Sequence, residues 1–385
     1  MPRMSNQGLG AAGQRFSRWP RFRRGRRAGR PSSSRTGRAS RIRAGRTPSR
    51  PPGGGPARAW RPAHSKAALL TAGLLAWRAA AAAGQVSVGE LAALYPLHEF
   101  SVSGATARLQ NSIVALELEA GSRKLLCNGV LIWLNAPCQR SGGEWLLARP
   151  DLADVLDPLL RPAFTASRAP VRTIVLDPGH GGADPGAIGV FNVCEKKLTL
   201  DIARRVAVKL ADSGVTVRLT RARDVTLSLA ERAAFARRWE ADLLVSIHFN
   251  SSPSGAATGL ETYVLPTPGY PSTNTTRSDA RVYPGNRFGP QSALLAYYLH
   301  WGVLSSARLP DRGVKRARYE MLTQAQCPAA LIECGFVSHR SEASRLREPA
   351  YRDLLADGIA RGLLTYVSLA EAPRPEPDLR AIAAR

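Results

Sequence analysis

In the second half of the chain, short apolar runs alternate with longer segments whose apolar side chains recur every three or four residues. The run TIVLD at 173–177 predicts a buried strand, and the segment 195–214, with Leu198 and Ile202 four residues apart, predicts a helix. The same reasoning predicts strands in VTVRLT, DLLVSIHFN and GLETYVL, two strands within RYEMLTQAQCPAALIECGF, and helices at about 228–241, 291–307 and 349–368. Strands that alternate with helices predict an α/β domain at 172–368, with a mixed, mostly parallel central sheet and helices on both faces.

Residues 85–168 carry a different pattern, in which strand pairs precede a short helix. The runs ARLQNSIVALEL and SRKLLCNGVLIWLN are rich in Val, Ile and Leu, and Gly121 and Ser122 mark a hairpin turn between them. The segment PDLADVLDPLL then predicts a helix with its leucines on one face. We therefore expect a small, strand-rich α+β module ahead of the main domain.

The formal net charge of +25 is spread unevenly along the 385 residues. Residues 1–66 contain 17 arginines, one lysine and no acidic residue, so +18 falls there and +7 remains for the other 319 residues. This segment lacks the aliphatic side chains that a core needs, which predicts a basic disordered tail. It is a solvated tail, an arm on nucleic acid, or a stretch upstream of the true start that is not translated. We expect no nucleic-acid partner for the main domain, and a second tail at 369–385.

Residues 67–84 show the three regions of a secretory signal. Lys66 supplies a basic flank, an apolar run extends over 67–77, and small residues with an A-x-A pattern end near Ala83. An apolar run of roughly 11 residues is too short to span a bilayer, which takes about 20. We therefore expect export and no transmembrane span; the alternative is a buried helix. A signal this far from Met1 also favours a later start codon.

The five cysteines show no CxxC pairing, which argues against a structural zinc knot. In an exported protein Cys127 and Cys138 can form a disulfide, and the odd count leaves at least one free thiol.

Two histidines end two of the predicted strands, and a glutamate begins a predicted helix. His180 follows TIVLDPG, His248 follows LLVSI, and Glu195 opens the helix at 195–214. Each alone suits a structural role, as a hydrogen-bonded histidine or a capping carboxylate. Reactive groups in open α/β sheets gather at the carboxyl ends of the strands, so the three side chains can meet there. His, Glu and His form one of the ligand sets of catalytic zinc, which predicts one zinc ion on these residues.

A fourth candidate, Glu333, lies in the apolar run AALIE. A bare charge is costly to bury, so a position beside a metal explains this carboxylate better than a surface salt bridge does. A carboxylate near a zinc-activated water can act as its general base. We predict that role for Glu333, with the small residues around His180 leaving room for a bulky polymer.

Several motifs occur in the order seen in one family. LDPGHGGADPGAIG, CEKKLTLDIARRVAVKL, ADLLVSIHFNSS, GLETYVL and QCPAALIECGFVS resemble the zinc-dependent N-acetylmuramoyl-L-alanine amidases, and the resemblance covers 173–367. It implies zinc on His180, Glu195 and His248 and catalysis by Glu333. The substrate it implies is peptidoglycan, cut between the lactyl group of N-acetylmuramic acid and the L-alanine of the stem peptide.

Cell-wall chemistry agrees with the signal-like segment and implies the periplasm or envelope of a bacterium. The module at 85–168 loosely resembles the N-terminal domain of the copper amine oxidase type, which implies a wall-binding or spacer role and no copper. We expect a monomer, and the sequence names no activator. The alternatives are a zinc peptidase acting on stem-peptide bonds and a non-catalytic wall-binding protein, which would lack a ligand or the base.

Some residues depart from the family pattern. The family often has Asn where this chain has His339, which we take as a solvated neighbour of the site and not a fourth ligand. Cys194 and Cys334 adjoin Glu195 and Glu333, and a thiolate ligand is the alternative reading of either one. No long helix is inserted between Glu195 and His248, so we expect an open site.

Five more polar residues lie near the same strand ends. Arg221, Asn250 and Glu261 are candidates either for substrate binding or for structural hydrogen bonds. Of Asp177 and Asp184, we expect at least one to hydrogen-bond a ligand histidine.

Overall fold

The computed structural model describes residues 84–166 and 170–373. The tail predicted at 1–66, almost all of the signal-like segment and most of the C-terminal tail lie outside the described residues. Within these two ranges, no helix is both long and apolar enough to cross a membrane.

The described residues form fourteen strands and ten α-helices, the latter including several of one turn. The strands are β1 (Gln85–Ser87), β2 (Glu99–Ser103), β3 (Thr106–Gln110), β4 (Ala115–Glu119), β5 (Lys124–Cys127), β6 (Val130–Trp133), β7 (Gln139–Ser141), β8 (Glu144–Ala148), β9 (Thr173–Pro178), β10 (Thr216–Leu219), β11 (Leu243–Asn250), β12 (Leu260–Val264), β13 (Asp311–Arg316) and β14 (Ala329–Phe336). The helices are α1 (Val88–Leu94), α2 (Arg149–Asp151), α3 (Asp157–Leu160), α4 (Pro162–Ala166), α5 (Glu195–Lys209), α6 (Leu229–Arg238), α7 (Gly289–Ala307), α8 (Glu320–Thr323), α9 (Arg340–Arg347) and α10 (Pro349–Glu371). A π-helical turn (Leu152–Leu156) joins α2 to α3, and 3-10 turns lie at Val190–Asn192 and Pro284–Phe288.

The main domain is built on the strand order β10-β9-β11-β14-β12-β13. All neighbours in this order are parallel except β12, which runs antiparallel to β14. The carboxyl ends of β9, β11 and β14 therefore meet at one edge of the sheet. This confirms the predicted mixed, mostly parallel sheet.

Helices cover both faces of this sheet, again as predicted. Helices α5, α7 and α10 pack on one face in the larger hydrophobic core, with strand residues such as Leu176 and Ile247. The opposite face has a smaller core, in which Leu244 and Leu331 pack with residues of α6 and α8. Side chains alternate along a strand, so His248 and Glu333 share this second, more lightly covered face.

Strands of the segment at 85–166 extend the main sheet. Strand β6 pairs in parallel with β13 through Ile132 and Val314, and β5, β4, β3 and β2 extend the same sheet to eleven strands. A separate three-stranded sheet contains β1, β8 and β7. The larger hydrophobic core includes residues from both segments, such as Leu116 and Ile174.

Two features differ from the sequence analysis. Of the two strands predicted within 318–336, only β14 is present, and Glu320–Thr323 form the short helix α8. Met321 and Leu322 of that helix bury their side chains in the smaller core. The apolar residues that had indicated a strand are therefore buried by a single helical turn. The second difference is the preceding strand, β13, which was not predicted because its sequence DRGVKR has no alternation of apolar residues. It pairs with β12 on one side and β6 on the other.

The five cysteines all lie in the described ranges, and all are free thiols. The disulfide considered between Cys127 and Cys138 is thus absent. The Cys127 side chain is buried where Tyr297 of α7 packs, whereas the Cys138 thiol approaches the carbonyl oxygen of Gln139.

Candidate metal centre

The loop after β9 presents His180 at the sheet edge. His180 has a φ of 61°, a left-handed conformation that non-glycine residues adopt rarely and mostly at functional sites. Two buried guanidinium groups hold the loop. Arg221 donates to the carbonyls of Pro178 (3.0 Å) and Gly179 (2.8 Å), and Arg232 donates to those of Pro178 (2.8 Å) and His180 (2.7 Å). Arg221 therefore has a structural role.

Glu195 is the first residue of α5, and its carboxylate lies between the two histidines. Oε1 is 3.1 Å from Nε2 of His180 and 3.0 Å from Nδ1 of His248. Backbone N–H groups of Phe249 and Ala187 donate to Oε1 (3.0 Å) and Oε2 (2.8 Å). The side chain is buried, so these contacts fix its orientation.

The three side chains have the donor set and spacing of a zinc site. One ligand atom from each of His180, Glu195 and His248 lies within 4.8 Å of the other two. In a tetrahedral zinc site with bonds of 2.0–2.1 Å, neighbouring ligand atoms lie about 3.3 Å apart. The separations of 3.1 Å and 3.0 Å from the shared Glu195 oxygen are close to that value. The residues present thus fit zinc.

Asp184 orients one of the candidate ligands. Its Oδ2 lies 2.8 Å from Nδ1 of His180, which leaves Nε2 facing Glu195. A hydrogen bond of this kind fixes the tautomer of a metal-binding histidine. Asp177 does not contact a histidine; its buried carboxylate accepts from Thr220 (2.6 Å) and Arg232 (2.8 Å). Of the two aspartates, Asp184 is therefore the one in the predicted position.

The pKa values in the site show how strongly these groups interact. Burial disfavours the charged imidazole of His180, but the carboxylates of Glu195 and Asp184 outweigh burial and raise its pKa. Burial likewise opposes ionisation of Glu195, yet His180 and His248 hold its pKa far below the usual value. The carboxylate is therefore ionised and ready to bind a cation at neutral pH.

Two glycines allow the ligands to come together. A Cβ atom on Gly179 would lie 2.1 Å from Cε1 and 2.4 Å from Nε2 of His248. A Cβ atom on Gly186, where φ is +64°, would lie 2.6 Å from Cδ2 of His180 and 2.7 Å from Oε2 of Glu195. Gly179 and Gly186 are thus required by close packing on the candidate ligands.

Glu333 lies beside the ligands on the neighbouring strand. It is the register partner of His248 on β11, so the two side chains point to the same face of the sheet. Its Oε2 is buried and has no hydrogen-bond partner among the described residues. Burial, together with the negative charges of Glu195 and Glu261, raises the pKa of Glu333 well above the usual value. An orphaned buried oxygen next to the candidate ligands is expected where a polar group of a metal site or substrate completes the arrangement.

Glu261 lies on the other side of Glu333 and is fully engaged in structural contacts. It is the register partner of Glu333 on β12. Arg312 and Lys315 each donate to its Oε1 at 2.5 Å, while Tyr263 (2.6 Å) and Asn250 (2.9 Å) donate to Oε2. Both Glu261 and Asn250 therefore serve this network, which sequence analysis left open.

The other residues raised by the sequence lie outside the ligand cluster. His339 precedes α9, and its side chain accepts a long hydrogen bond of 3.4 Å from the backbone of Glu342. The Cys194 thiol lies 3.4 Å from the carbonyl oxygen of Pro185, and Cys334 is buried. None of the three belongs to the cluster of candidate ligands.

Comparison with known proteins identifies the family of this chain. The family model Amidase_3, N-acetylmuramoyl-L-alanine amidase, matches residues 174–365. The amidase CwlM of Bacillus licheniformis is 34% identical over 200 residues, which cover 51% of this chain and 70% of CwlM. The chain belongs to the Amidase_3 family.

The chain is also similar to other N-acetylmuramoyl-L-alanine amidases, over different shares of their lengths. LytC of Bacillus subtilis (strain 168) is 36% identical over 194 residues, which are 50% of this chain and 35% of LytC. The match therefore spans about a third of that relative. The crystal structure of the N-acetylmuramoyl-L-alanine amidase from Clostridium difficile 630 is 34% identical, with a TM-score of 0.44, and covers 52% of this chain and 98% of that chain.

The Amidase_3 match begins in β9 and ends in α10, so it contains all four candidate site residues. The strands at 85–148 lie outside it. Between Glu195 and His248 the chain forms α5, β10, α6 and the first part of β11, and no further helix.

Proposed function

We propose that this protein is a zinc-dependent N-acetylmuramoyl-L-alanine amidase, which hydrolyses the amide bond between the lactyl group of N-acetylmuramic acid and L-alanine in peptidoglycan. The observation that carries the proposal is the meeting of His180, Glu195 and His248 at one sheet edge, with Glu333 beside them. Family membership supports it, since the relatives CwlM and LytC are named N-acetylmuramoyl-L-alanine amidases.

His180, through Nε2, His248, through Nδ1, and Glu195, through Oε1, would hold the zinc ion. Bound zinc polarises an amide carbonyl and makes a water molecule more acidic. Three protein ligands leave room for a fourth, as in other catalytic zinc sites. Asp184 keeps a hydrogen bond on Nδ1 of His180, so that Nε2 is free to bind.

Glu333 is the proton carrier in this proposal. Its carboxylate takes a proton from the attacking water and returns it to the alanine nitrogen as the C–N bond breaks. The products are the lactyl carboxylic acid and a stem peptide with a free L-alanine amine. The raised pKa of Glu333 suits this exchange, because a more basic carboxylate is a better acceptor and its conjugate acid can still donate.

The neighbouring network compensates the charge of the carboxylate beside Glu333. Lys315 and Arg312 neutralise Glu261, which lies next to Glu333 in the sheet. A second free carboxylate at this distance would repel the base and any anionic group of the substrate. The two cations thus limit this repulsion, while Glu261 itself keeps its structural role.

The substrate places the enzyme outside the cytoplasm, in the periplasm or cell envelope of a bacterium. The signal-like segment at 67–84 supports this part of the proposal. The segment at 85–166, which shares the sheet of the catalytic domain, would serve as a wall-binding or spacer module, and we propose a monomer.

The test is to incubate the purified protein with peptidoglycan sacculi, with and without a chelator, and to identify the products by mass spectrometry. Zinc-dependent release of stem peptides with a new L-alanine amine is the expected result. Cleavage only within the peptides would instead indicate a zinc peptidase. Binding to sacculi without products would indicate a wall-binding protein.

A further inference from the structure

A strained loop beside the candidate ligands presents an exposed aromatic ring. Phe191 and Asn192 have φ values of 61° and 56°, so two consecutive non-glycine residues adopt the left-handed conformation. Asn tolerates this conformation, but for a bulky residue such as Phe it is a clear outlier. Phe191 is 42% exposed, so core packing does not compensate for the strain. Strain of this kind concentrates at functional sites.

Backbone hydrogen bonds fix the loop at 188–194 next to the candidate metal centre. Glu195 follows it directly and donates its backbone N–H to the carbonyl of Ala187 at 3.0 Å. The N–H of Val190 donates to the carbonyl of Val337, one residue beyond β14, at 3.0 Å. Glu195 is the fourth residue after Phe191, so their Cα atoms lie at most about 14 Å apart. A peptide of a few residues, bound at the candidate metal centre, can therefore reach Phe191.

Two arginines of α9 contact the Phe191 ring. The guanidinium carbons of Arg340 and Arg347 lie 5.0 Å and 5.4 Å from its centroid. The two residues are seven apart, two helical turns, and so project from the same face of α9. Both are exposed, and in the described parts of the chain neither side chain forms an ion pair or a hydrogen bond. The Phe191 ring therefore holds the two guanidinium groups near each other, and their N–H groups remain available to a ligand.

The carboxylates next to the candidate ligands already have cationic partners. Asp184, whose side chain is 56% exposed, lies against His180, and Asp224 is close by, paired with Lys196. Arg340 and Arg347, which have no ion-pair partner among the described residues, attract a carboxylate of the substrate. The sugars of peptidoglycan are largely neutral, whereas its stem peptide is acidic, so this pair of charges distinguishes the two halves of the substrate.

We propose that Arg340 and Arg347, held by Phe191, form a carboxylate-binding site for the stem peptide. Guanidinium groups bind carboxylates with paired, charge-assisted hydrogen bonds. The second stem residue, D-glutamate, continues the chain through its side-chain carboxyl, so its α-carboxylate is free one residue beyond the bond that is cut. That carboxylate is the ligand. The inference rests on the proposed function and adds the part of the substrate that is recognised.

The experiment compares two soluble substrates, N-acetylmuramoyl-L-alanyl-D-glutamyl-L-lysine amide and its D-isoglutamine analogue, which differ only in that carboxyl group. We expect the double variant R340Q/R347Q to lose about tenfold in kcat/KM on the acidic substrate relative to the amidated one, chiefly through KM. The variant R340K/R347K should recover part of the loss. The control R238Q/R361Q removes two exposed arginine charges from α6 and α10 and should not change the ratio.

Equal effects of R340Q/R347Q on both substrates, or no effect on either, would overturn the proposal. Binding of the two product peptides, measured by saturation-transfer NMR, needs no turnover and decides the same question. The wild type should bind the acidic peptide more tightly, and R340Q/R347Q should remove that preference. If the wild type binds the acidic peptide selectively but cleaves neither substrate, the proposed amidase activity fails while the carboxylate site stands.

Discussion

Replacing Gly179 with alanine should displace a zinc ligand without disturbing the fold around it. The added Cβ atom would lie 2.1 Å from Cε1, 2.4 Å from Nε2 and 2.7 Å from Nδ1 of His248. Carbon atoms in contact lie about 3.5 Å apart, so the imidazole must retreat by more than about 1 Å. A zinc–nitrogen bond tolerates a change of only about 0.2 Å. His248 would therefore cease to be a ligand, which leaves two of the three protein groups.

The assay for Gly179→Ala is the zinc content after dialysis, with the zinc affinity measured by competition against a chelator. We expect a loss of bound zinc and of amidase activity, with the far-UV circular dichroism spectrum retained. Gly89→Ala is the matched control, because a Cβ there meets only Oγ of Ser87 at 3.6 Å. A Gly179→Ala protein with full zinc content and wild-type affinity would refute the assignment of His248 as a ligand.

Three further changes test other parts of the site. Glu333→Gln should keep zinc but lower kcat by about 10² to 10⁴, as expected for loss of a general base; unchanged turnover would remove Glu333 from that role. Asp184→Asn should weaken zinc binding by about 10- to 100-fold in chelator competition, whereas Asp224→Asn, a nearby carboxylate that contacts Lys196, should have no effect. Burial opposes ionisation of Glu261, but hydrogen bonds and the charge of Lys315 hold its pKa below the usual value, so it stabilises the fold above about pH 4.3 and this contribution is lost as the pH falls further. Glu261→Gln should cost about 3–5 kcal/mol in the free energy of unfolding at pH 7, and its Tm deficit should shrink below about pH 4; a deficit that is constant with pH would contradict this reasoning.

The elements with a strong local signal were predicted from sequence. The apolar run of β9 and the four-residue spacing in α5 gave the correct element types, although α5 ends at Lys209, short of the predicted Gly214. Strand β13 was not predicted, since DRGVKR places charged residues in a strand. Its Lys315 is buried only because Glu261, 54 residues earlier in the chain, neutralises it. Such a strand is determined by its neighbours in the sheet.

The same distinction applies to the site. His180, His248 and Glu333 end or lie within recognisable strands, so parallel-sheet topology predicts that they meet. Arg232 was not singled out, because an arginine in an amphipathic helix normally faces solvent. Its burial becomes evident only when the carbonyls of Pro178 and His180 are seen to converge on it. The partners of a strained loop come from distant segments, and local patterns do not identify them.

Protonation of His180 and binding of a metal ion would use the same ring nitrogen in this site. The carboxylate of Glu195 contacts two imidazole rings and accepts hydrogen bonds from two backbone N–H groups, so donors surround its negative charge. Without a metal, both ring nitrogens of His180 face carboxylates, Nδ1 that of Asp184 and Nε2 that of Glu195. Only the protonated imidazole donates to both, and this raises the pKa of His180 in spite of its burial. That interaction is fully present below about pH 6.5 and is lost as the pH rises through the raised pKa. Zinc needs the same nitrogens unprotonated, so it binds more tightly as the pH rises. If zinc binds as proposed, protons and zinc hold the ligands together in complementary pH ranges, and the site stays assembled around Glu195 in both.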